Sequence, residues 1–228
     1  MAQVRARTRA AVLAFFAGIA MTPAVQAAGG HHAVDDAAIL DAGTCEADSW
    51  FSRARGGERL LHAGTGCRFG PFELGGSAEY GRGAGSSETG YALQAKFATE
   101  VASGLSAGLS LNSGWLARAR PRYQASTVAA LLTWAPQDDI AVHLNLGRDF
   151  VHGGADENRG GVAVEWTVRA GWTVLGERYR EQGTHFVRAG VRTAINERLS
   201  VDLSRAHRLS GPSPSNWTLG LKWQFMRP

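Results

Sequence analysis

The segment NWTLGLKWQF, residues 216–225, alternates large apolar residues with polar or small ones. Its apolar positions are Trp217, Leu219, Leu221, Trp223 and Phe225. Because successive side chains of a strand point to opposite faces, the alternation predicts a strand with two chemically different faces. Whether a protein core or a lipid bilayer lies on the apolar side decides what kind of protein this is.

The same alternation recurs from Cys45 onward, and helix-period patterns are absent past Leu40. The 29 glycines suit closely packed, strongly curved sheet better than a helical domain. The clearest alternating segments are FELGGSAEY (72–80), YALQAKF (91–97), LSAGLSLNSGW (105–115), STVAALLTW (126–134), IAVHLNLGRD (140–149), GVAVEWTVR (161–169), HFVRAGVRT (185–193) and LSVDLSR (199–205).

The connections between these segments sort into two alternating sets. One set is short and covers 69–71, 101–104, 135–139, 169–171 and 195–198. The other is longer and more polar, and covers 81–90, 116–124, 150–161, 178–184 and 207–215. Outer-membrane barrels have short periplasmic turns and longer extracellular loops, whereas a soluble β-sandwich has no reason to sort its loops by side. Residues 44–228 are therefore predicted to be all-β, a transmembrane antiparallel up-and-down β-barrel of about 12 strands.

Four tryptophans lie at the ends of predicted strands, beside the loops. They are Trp115, Trp134, Trp172 and Trp217. Aromatic residues at these positions are typical of the girdles that barrels place at the two membrane interfaces. The alternative is that some of them cap the core of a water-soluble barrel.

The N-terminus has the three parts of a secretory signal peptide. Arg5, Arg7 and Arg9 precede an apolar run from Ala10 to Met21, and small residues at Val25 and Ala27 suit cleavage after Ala27. Removal of residues 1–27 takes three arginines and no acids, which lowers the net charge of +4 to about +1. The basic balance therefore gives no reason to expect nucleic acid as a partner.

The two cysteines are predicted to form a disulfide, because the exported chain meets an oxidising compartment. Cys45 and Cys67 lie symmetrically about Gly56, and the pair Gly56-Gly57 is a turn signal. A hairpin that turns there brings the two cysteines opposite each other. Two free thiols with a redox or metal role are the alternative.

The signal peptide, the repeated strands and the final strand WTLGLKWQF together resemble Gram-negative outer-membrane β-barrel proteins as a class. The likeness covers residues 44–228. In that class a terminal aromatic residue is read by the barrel-assembly machinery, whereas here Met226, Arg227 and Pro228 follow Phe225. The resemblance implies a place in the outer membrane, contact with its lipids and with the assembly machinery, and a periplasmic N-terminal segment at residues 28–43.

The strand faces between the apolar ones are predicted to point into the lumen, and they hold charges of both signs. The bases are Lys96, Arg169, Arg188, Arg192 and Lys222, and the acids are Glu73, Glu79, Glu165, Glu177 and Asp202. If the lumen is open, Arg188, Arg192 and Lys222 form a basic wall that selects small anions. If the acids and bases instead pair across the lumen, they plug it.

The sequence leaves two further kinds of functional site as hypotheses, a metal site and a hydrolytic site. His31 and His32, near Asp35 and Asp36, are candidates for weak binding of a divalent transition metal, although a solvated periplasmic linker is the simpler interpretation. An outer-membrane lipid hydrolase would draw on His62, His143, Asp149, His207 and Ser210, but no spacing of a nucleophile and a base supports one.

The sequence thus predicts an outer-membrane barrel that acts as a passive pore for small polar or anionic solutes. A closed structural or metal-responsive barrel with exposed loops is the alternative, and a lipid hydrolase is the third hypothesis. The chain is not expected to be an enzyme or to carry a cofactor, because it has no phosphate-binding glycine loop, Cys-x-x-Cys pair or zinc-site spacing.

Overall fold

A computed structural model describes residues 31–226, and these residues form twelve β-strands. The predicted signal peptide lies outside the described residues. The strands are β1 (Thr44–Ala54), β2 (Arg59–Phe69), β3 (Phe72–Gly83), β4 (Ser86–Ala102), β5 (Leu105–Leu116), β6 (Tyr123–Gln137), β7 (Ile140–Val151), β8 (Glu157–Arg169), β9 (Trp172–Glu181), β10 (Thr184–Ala194), β11 (Leu199–Ser210) and β12 (Asn216–Met226).

The strands close into one antiparallel barrel. Each strand pairs with its neighbours in sequence, and β1 pairs with β12 from Thr44 opposite Met226 to Ala54 opposite Asn216. The predicted fold class and strand number are confirmed. Among the described residues, no helix has the length and apolarity required to cross a membrane.

The barrel has two rims. The terminal rim holds Thr44, Met226 and the short turns that precede the odd-numbered strands from β3 onward; the loop rim holds the remaining turns. Two long loops predicted at this second rim, 81–90 and 178–184, are instead two-residue turns, at Ala84-Gly85 and Gln182-Gly183. All four residues have positive φ, as a type I′ hairpin turn requires. The polar residues that suggested loops belong to extensions of the strands.

The outer face of the barrel is apolar. All twelve strands place at least one exposed large apolar side chain on it. In β12, Trp217 and Leu219 are each 52% exposed, while Thr218 between them is 1% exposed. Such a continuous apolar surface requires lipid rather than water around it. The four predicted girdle tryptophans divide between the rims, with Trp134 and Trp172 at the terminal rim and Trp115 and Trp217 at the loop rim.

The predicted disulfide is present. Cys45 and Cys67 are direct cross-strand partners of β1 and β2, with a Cα–Cα distance of 4.0 Å. The hairpin turns between Ala54 and Arg59, as the Gly56-Gly57 pair predicted. The bond therefore fastens the first hairpin beside the terminal rim.

Candidate functional site in the barrel lumen

Residues 31–40, which we call the lumenal segment, run inside the barrel. The segment was expected to be a solvated linker, and the structure corrects this expectation. The buried residues of the segment are His31, His32, Val34, Asp35 and Ala37. The segment carries both apolar residues and charges that match groups on the wall, which explains why it docks there. It is too short to show a periodicity from which docking could be predicted.

Glu177 on β9 anchors the segment. Its carboxylate accepts hydrogen bonds from the backbone amides of Ala33, at 3.2 Å, and Val34, at 3.0 Å. The same carboxylate lies 3.0 Å from the Arg188 guanidinium and 3.5 Å from Nδ1 of His32. Arg188 also donates to the backbone carbonyl of His31 and to the Tyr179 hydroxyl. One acidic and one basic residue of the wall thus hold the segment's backbone.

Val34 packs in a small apolar cluster next to the ion pair of Glu177 and Arg188. The side chain is fully buried and packs with Ala163, Tyr179, Phe186 and Ala206. The rings of Tyr179 and Phe186 stack with centroids 5.0 Å apart. The buried apolar side chains lower the local dielectric constant, which strengthens the neighbouring ion pair of Glu177 and Arg188.

Asp35 and Asp36 share one lysine. The Nζ atom of Lys96 lies 3.0 Å from Asp35 and 2.8 Å from Asp36. Burial disfavours the charged carboxylate and raises the pKa of Asp35 to about 8; Lys96 opposes the rise, and the neighbouring Asp36 adds to it. Burial also acts to raise the pKa of Asp36, but Lys96 outweighs it and the pKa is lowered. One carboxylate of the pair is therefore protonated at neutral pH.

The rest of the segment follows the wall to the terminal rim. The Ala37 amide donates to the Thr133 hydroxyl. The Leu40 amide donates to the Glu73 carboxylate, and the Leu40 carbonyl accepts from the Arg68 guanidinium. A cavity of about 230 Å³ lies beside this part of the segment. Its charged lining consists of Asp35, Asp36, Asp41, Glu46, Asp48, Glu73, Lys96 and Lys222.

The charges predicted for the lumen are mostly paired. Arg192 and Glu165 form a two-pronged ion pair at 3.1 and 3.2 Å, and Lys222 lies 2.7 Å from Glu46. Further pairs join Glu79 to His62 and Asp202 to His31. Glu73 instead accepts a hydrogen bond from the Leu40 amide, and Arg169 is exposed at the end of β8, where it stacks over Trp172. The predicted basic wall is thus neutralised by acids on nearby strands.

The residues considered for hydrolysis do not form one site. His143 bonds Thr133, His62 lies between Asp48 and Glu79, and Asp149 contacts Thr127 and Arg159. His207 and Ser210 are exposed near the loop rim. A different trio was missed: Nε2 of His31 lies 2.5 Å from the Ser204 hydroxyl, and Nδ1 lies 2.8 Å from Asp202.

The two histidines proposed for metal binding come together with a partner that the sequence did not identify. A nitrogen of His31, a nitrogen of His32 and a carboxylate oxygen of Asp202 all lie within 4.8 Å of one another. The imidazole rings stack at 4.6 Å. Burial lowers the pKa of His31 to about 4, although Asp202 opposes the change, so its ring is neutral at pH 7 and keeps a lone pair.

Comparison with known proteins places the chain in one sequence family. The model for the family described as "Uncharacterised conserved protein UCP029691" matches residues 16–225. A search of curated protein sequences finds no significant match.

Solved structures with the same fold are outer-membrane channels. The KdgM porin in complex with disordered oligogalacturonate has a TM-score of 0.61 and 14% identity, and covers 79% of this chain and 99% of its own. The COG4313 outer membrane channel from Pseudomonas putida F1 has a TM-score of 0.57 and 11% identity, with coverage of 83% and 98%. The toluene transporter TbuX of Ralstonia pickettii has a TM-score of 0.53 and 11% identity, with coverage of 82% and 90%. The class resemblance that the sequence predicted is confirmed at the level of the fold.

Proposed function

The chain belongs to the family described as uncharacterised conserved protein UCP029691, and we propose that it is an outer-membrane channel for small polar solutes, controlled by its own lumenal segment. A single observation carries the proposal. The twelve-strand wall closes completely through β1 and β12, and the segment adds no strand to it. The segment is therefore able to leave the lumen while the wall keeps all of its backbone pairing.

The contacts of the segment fit a plug that can be removed. Apart from the apolar packing of Val34 and Ala37, they are hydrogen bonds and ion pairs with side chains of the wall, among them Glu177, Arg188, Lys96 and Thr133. Each of these groups is polar enough to face water after release. A lumen lined by such groups conducts hydrated solutes rather than apolar ones.

Release of the segment also changes the charge of the passage. The docked segment supplies Asp35 and Asp36, both in contact with Lys96. Their departure leaves Lys96 without these two partners and shifts the lumen toward positive charge. We therefore propose that the open channel prefers small anions, although the cavity of the closed state is rich in acids.

The same proposal includes the position of the protein in the cell. The terminal rim, with its short turns, is taken to face the periplasm, and the loop rim to face the exterior. The apolar outer face supports contact with outer-membrane lipids, and insertion by the barrel-assembly machinery follows from the class. Solutes would then meet the lumenal segment at the middle of the membrane.

Planar-bilayer conductance tests the channel. The mature chain, residues 28–228, is compared with a variant that lacks residues 28–40 and with a Val34→Cys, Ala206→Cys variant whose disulfide holds the segment in the apolar cluster. We expect rare openings for the mature chain, sustained anion-preferring current for the deletion, and silence for the locked variant until it is reduced.

The native chain treated with the same reductant is the control for the Cys45–Cys67 bond. A deletion variant that still migrates as a folded barrel on an unheated gel but carries no current would overturn the proposal. Within the deletion variant, Lys96→Gln is expected to lower the anion preference.

We also propose that the Asp202, His31 and Ser204 trio does not act as a hydrolase. Ser204 is 2% exposed and lies beneath the segment, so no ester can approach its hydroxyl. A fluorophosphonate probe is expected to leave Ser204 unlabelled in the folded mature chain. Labelling that disappears in Ser204→Ala would contradict this and favour the hydrolase hypothesis.

A further inference from the structure

Three buried side chains converge where the lumenal segment meets β11. His31, His32 and Asp202 are 6%, 2% and 2% exposed, and each offers an atom within 4.8 Å of the other two. Two imidazoles and one carboxylate form a ligand set suited to zinc and other divalent first-row transition metals.

Each of the three side chains also has a buried atom with no hydrogen-bond partner outside this group among residues 31–226. These atoms are Nδ1 of His31, Nε2 of His32 and Oδ1 of Asp202. His31 Nδ1 and Asp202 Oδ1 are 2.8 Å apart, so these two atoms already face each other within the group. Buried polar atoms without good partners are costly, so one ion contacted by all three side chains would lower the free energy of the site.

The opposite nitrogen of each histidine already has a partner. His31 Nε2 lies 2.5 Å from the Ser204 hydroxyl, and His32 Nδ1 lies 3.5 Å from the Glu177 carboxylate. Metal-binding histidines commonly donate their second N–H to such an acceptor, which fixes the tautomer and leaves the other nitrogen free for the ion. The surroundings of both rings are therefore those of metal ligands.

We propose that His31, His32 and Asp202 form a binding site for a divalent transition metal, with Ser204 and Glu177 orienting the two imidazoles. The site joins the first described residues of the lumenal segment to the barrel wall. If the chain is the channel proposed above, the ion acts as a latch that keeps the segment docked. Metal binding itself does not depend on that function.

Equilibrium dialysis of untagged, metal-free mature protein against Zn²⁺ tests the site directly. We expect one Zn²⁺ per chain, and with Co²⁺ the visible absorption bands of a site with nitrogen and oxygen ligands. His32→Ala and Asp202→Asn should each weaken binding by more than about tenfold, and Ser204→Ala should do so by about tenfold, the usual effect of losing an orienting partner.

The matched control is His207→Ala, which removes an exposed histidine from the outer side of β11 and should leave binding unchanged. Each variant must keep the unheated gel migration of the folded barrel. An absence of bound Zn²⁺ in correctly folded mature protein, or equal binding by Asp202→Asn, would overturn the proposed site.

Conductance separates this inference from the channel proposal. With both correct, Zn²⁺ suppresses the current of the mature chain but not that of the variant lacking residues 28–40. If the site binds Zn²⁺ while the deletion variant is silent, the channel fails and the metal site stands. If the deletion variant conducts and no Zn²⁺ binds to the mature chain, the metal site fails and the channel stands.

Discussion

The two halves of the lumenal segment are held in different ways. The inner half, residues 31–34, is buried against Glu177, Arg188 and the Val34 cluster. The outer half, residues 35–40, lies beside the cavity, where Ala38 is exposed and the main ion pair is that of the two aspartates with Lys96. The difference indicates that the inner half contributes most of the free energy of docking. The outer half makes that free energy depend on pH.

Among the substitutions that test this difference, Glu177→Gln is expected to have the largest effect on docking of the segment. The change leaves the Arg188 guanidinium buried without its carboxylate, and breaking a buried pair in this way costs about 3–5 kcal/mol. The free energy of docking should fall by an amount of that order. Hydrogen exchange followed by mass spectrometry should reveal lost protection at the amides of Ala33 and Val34.

Glu165→Gln is the matched control for that change. It breaks the Arg192 ion pair, which lies on the wall. We expect the exchange of residues 31–34 to stay as in the native chain. Equal loss of protection in the two variants would mean that the inner half has no special role.

A smaller effect is expected from Val34→Ala. The change removes apolar surface from a fully buried contact with Tyr179 and Phe186 and leaves a void, at a cost of about 2 kcal/mol. Exchange of the Val34 amide should accelerate accordingly. Ile39→Ala in the half-buried outer part is the comparison, and it should accelerate exchange less. The reverse order would contradict the assignment of the two halves.

The outer half should respond to pH through Asp35. Its pKa is raised in the docked state to about 8, by burial beside Lys96, Asp36 and Glu73, and returns near 4 on release. The docked state thus binds a proton that the released state lacks, so docking weakens as the pH rises toward 8. Between pH 7 and 8 the loss is at most about 1.4 kcal/mol.

Exchange rates of residues 31–40, corrected for the intrinsic effect of pH, measure this dependence. Asp35→Asn should flatten the profile, because the amide does not titrate. Asp36 has a lowered pKa and therefore acts only in acid, where its protonation weakens docking as the pH falls. A profile in Asp35→Asn as steep as that of the native chain would exclude Asp35 as its source.

The smallest effect is expected from Arg68→Met at the terminal rim. It removes one hydrogen bond to the carbonyl of Leu40, worth about 1 kcal/mol or less at this partly buried position. Only exchange at residues 38–40 should accelerate. Arg53→Met on the exposed outer face is the control, and it should alter no part of the segment. Lost protection at Val34 in Arg68→Met would mean that the two halves release together.

Much of the barrel wall could be predicted, because short stretches of sequence determine its strands, their faces and their tight turns. Alternation assigned the lumenal and lipid-facing sides of β12 residue by residue, and the Gly56-Gly57 turn set the register that joins Cys45 to Cys67. The turns at Ala84 and Gln182 were missed, since a non-glycine residue with positive φ gives no clear signal and the flanking polar residues imitate a loop.

The candidate site was predicted only in its parts. His31 and His32 were recognised as ligands and Asp202 as a lumenal acid, but nothing near these residues in the chain connects them. The contact of His31 with Ser204 spans 173 positions. Such a contact forms only after β11 has taken its place in the closed barrel.

The sequence by itself therefore determined the strands, their two faces and the disulfide, because side-chain direction in a strand depends only on the position along it. The tertiary structure alone decided what fills the lumen and which charges meet there. Barrel closure brings distant strands around one small space, and the free energy of burying charges in that space selects the pairs that neutralise one another.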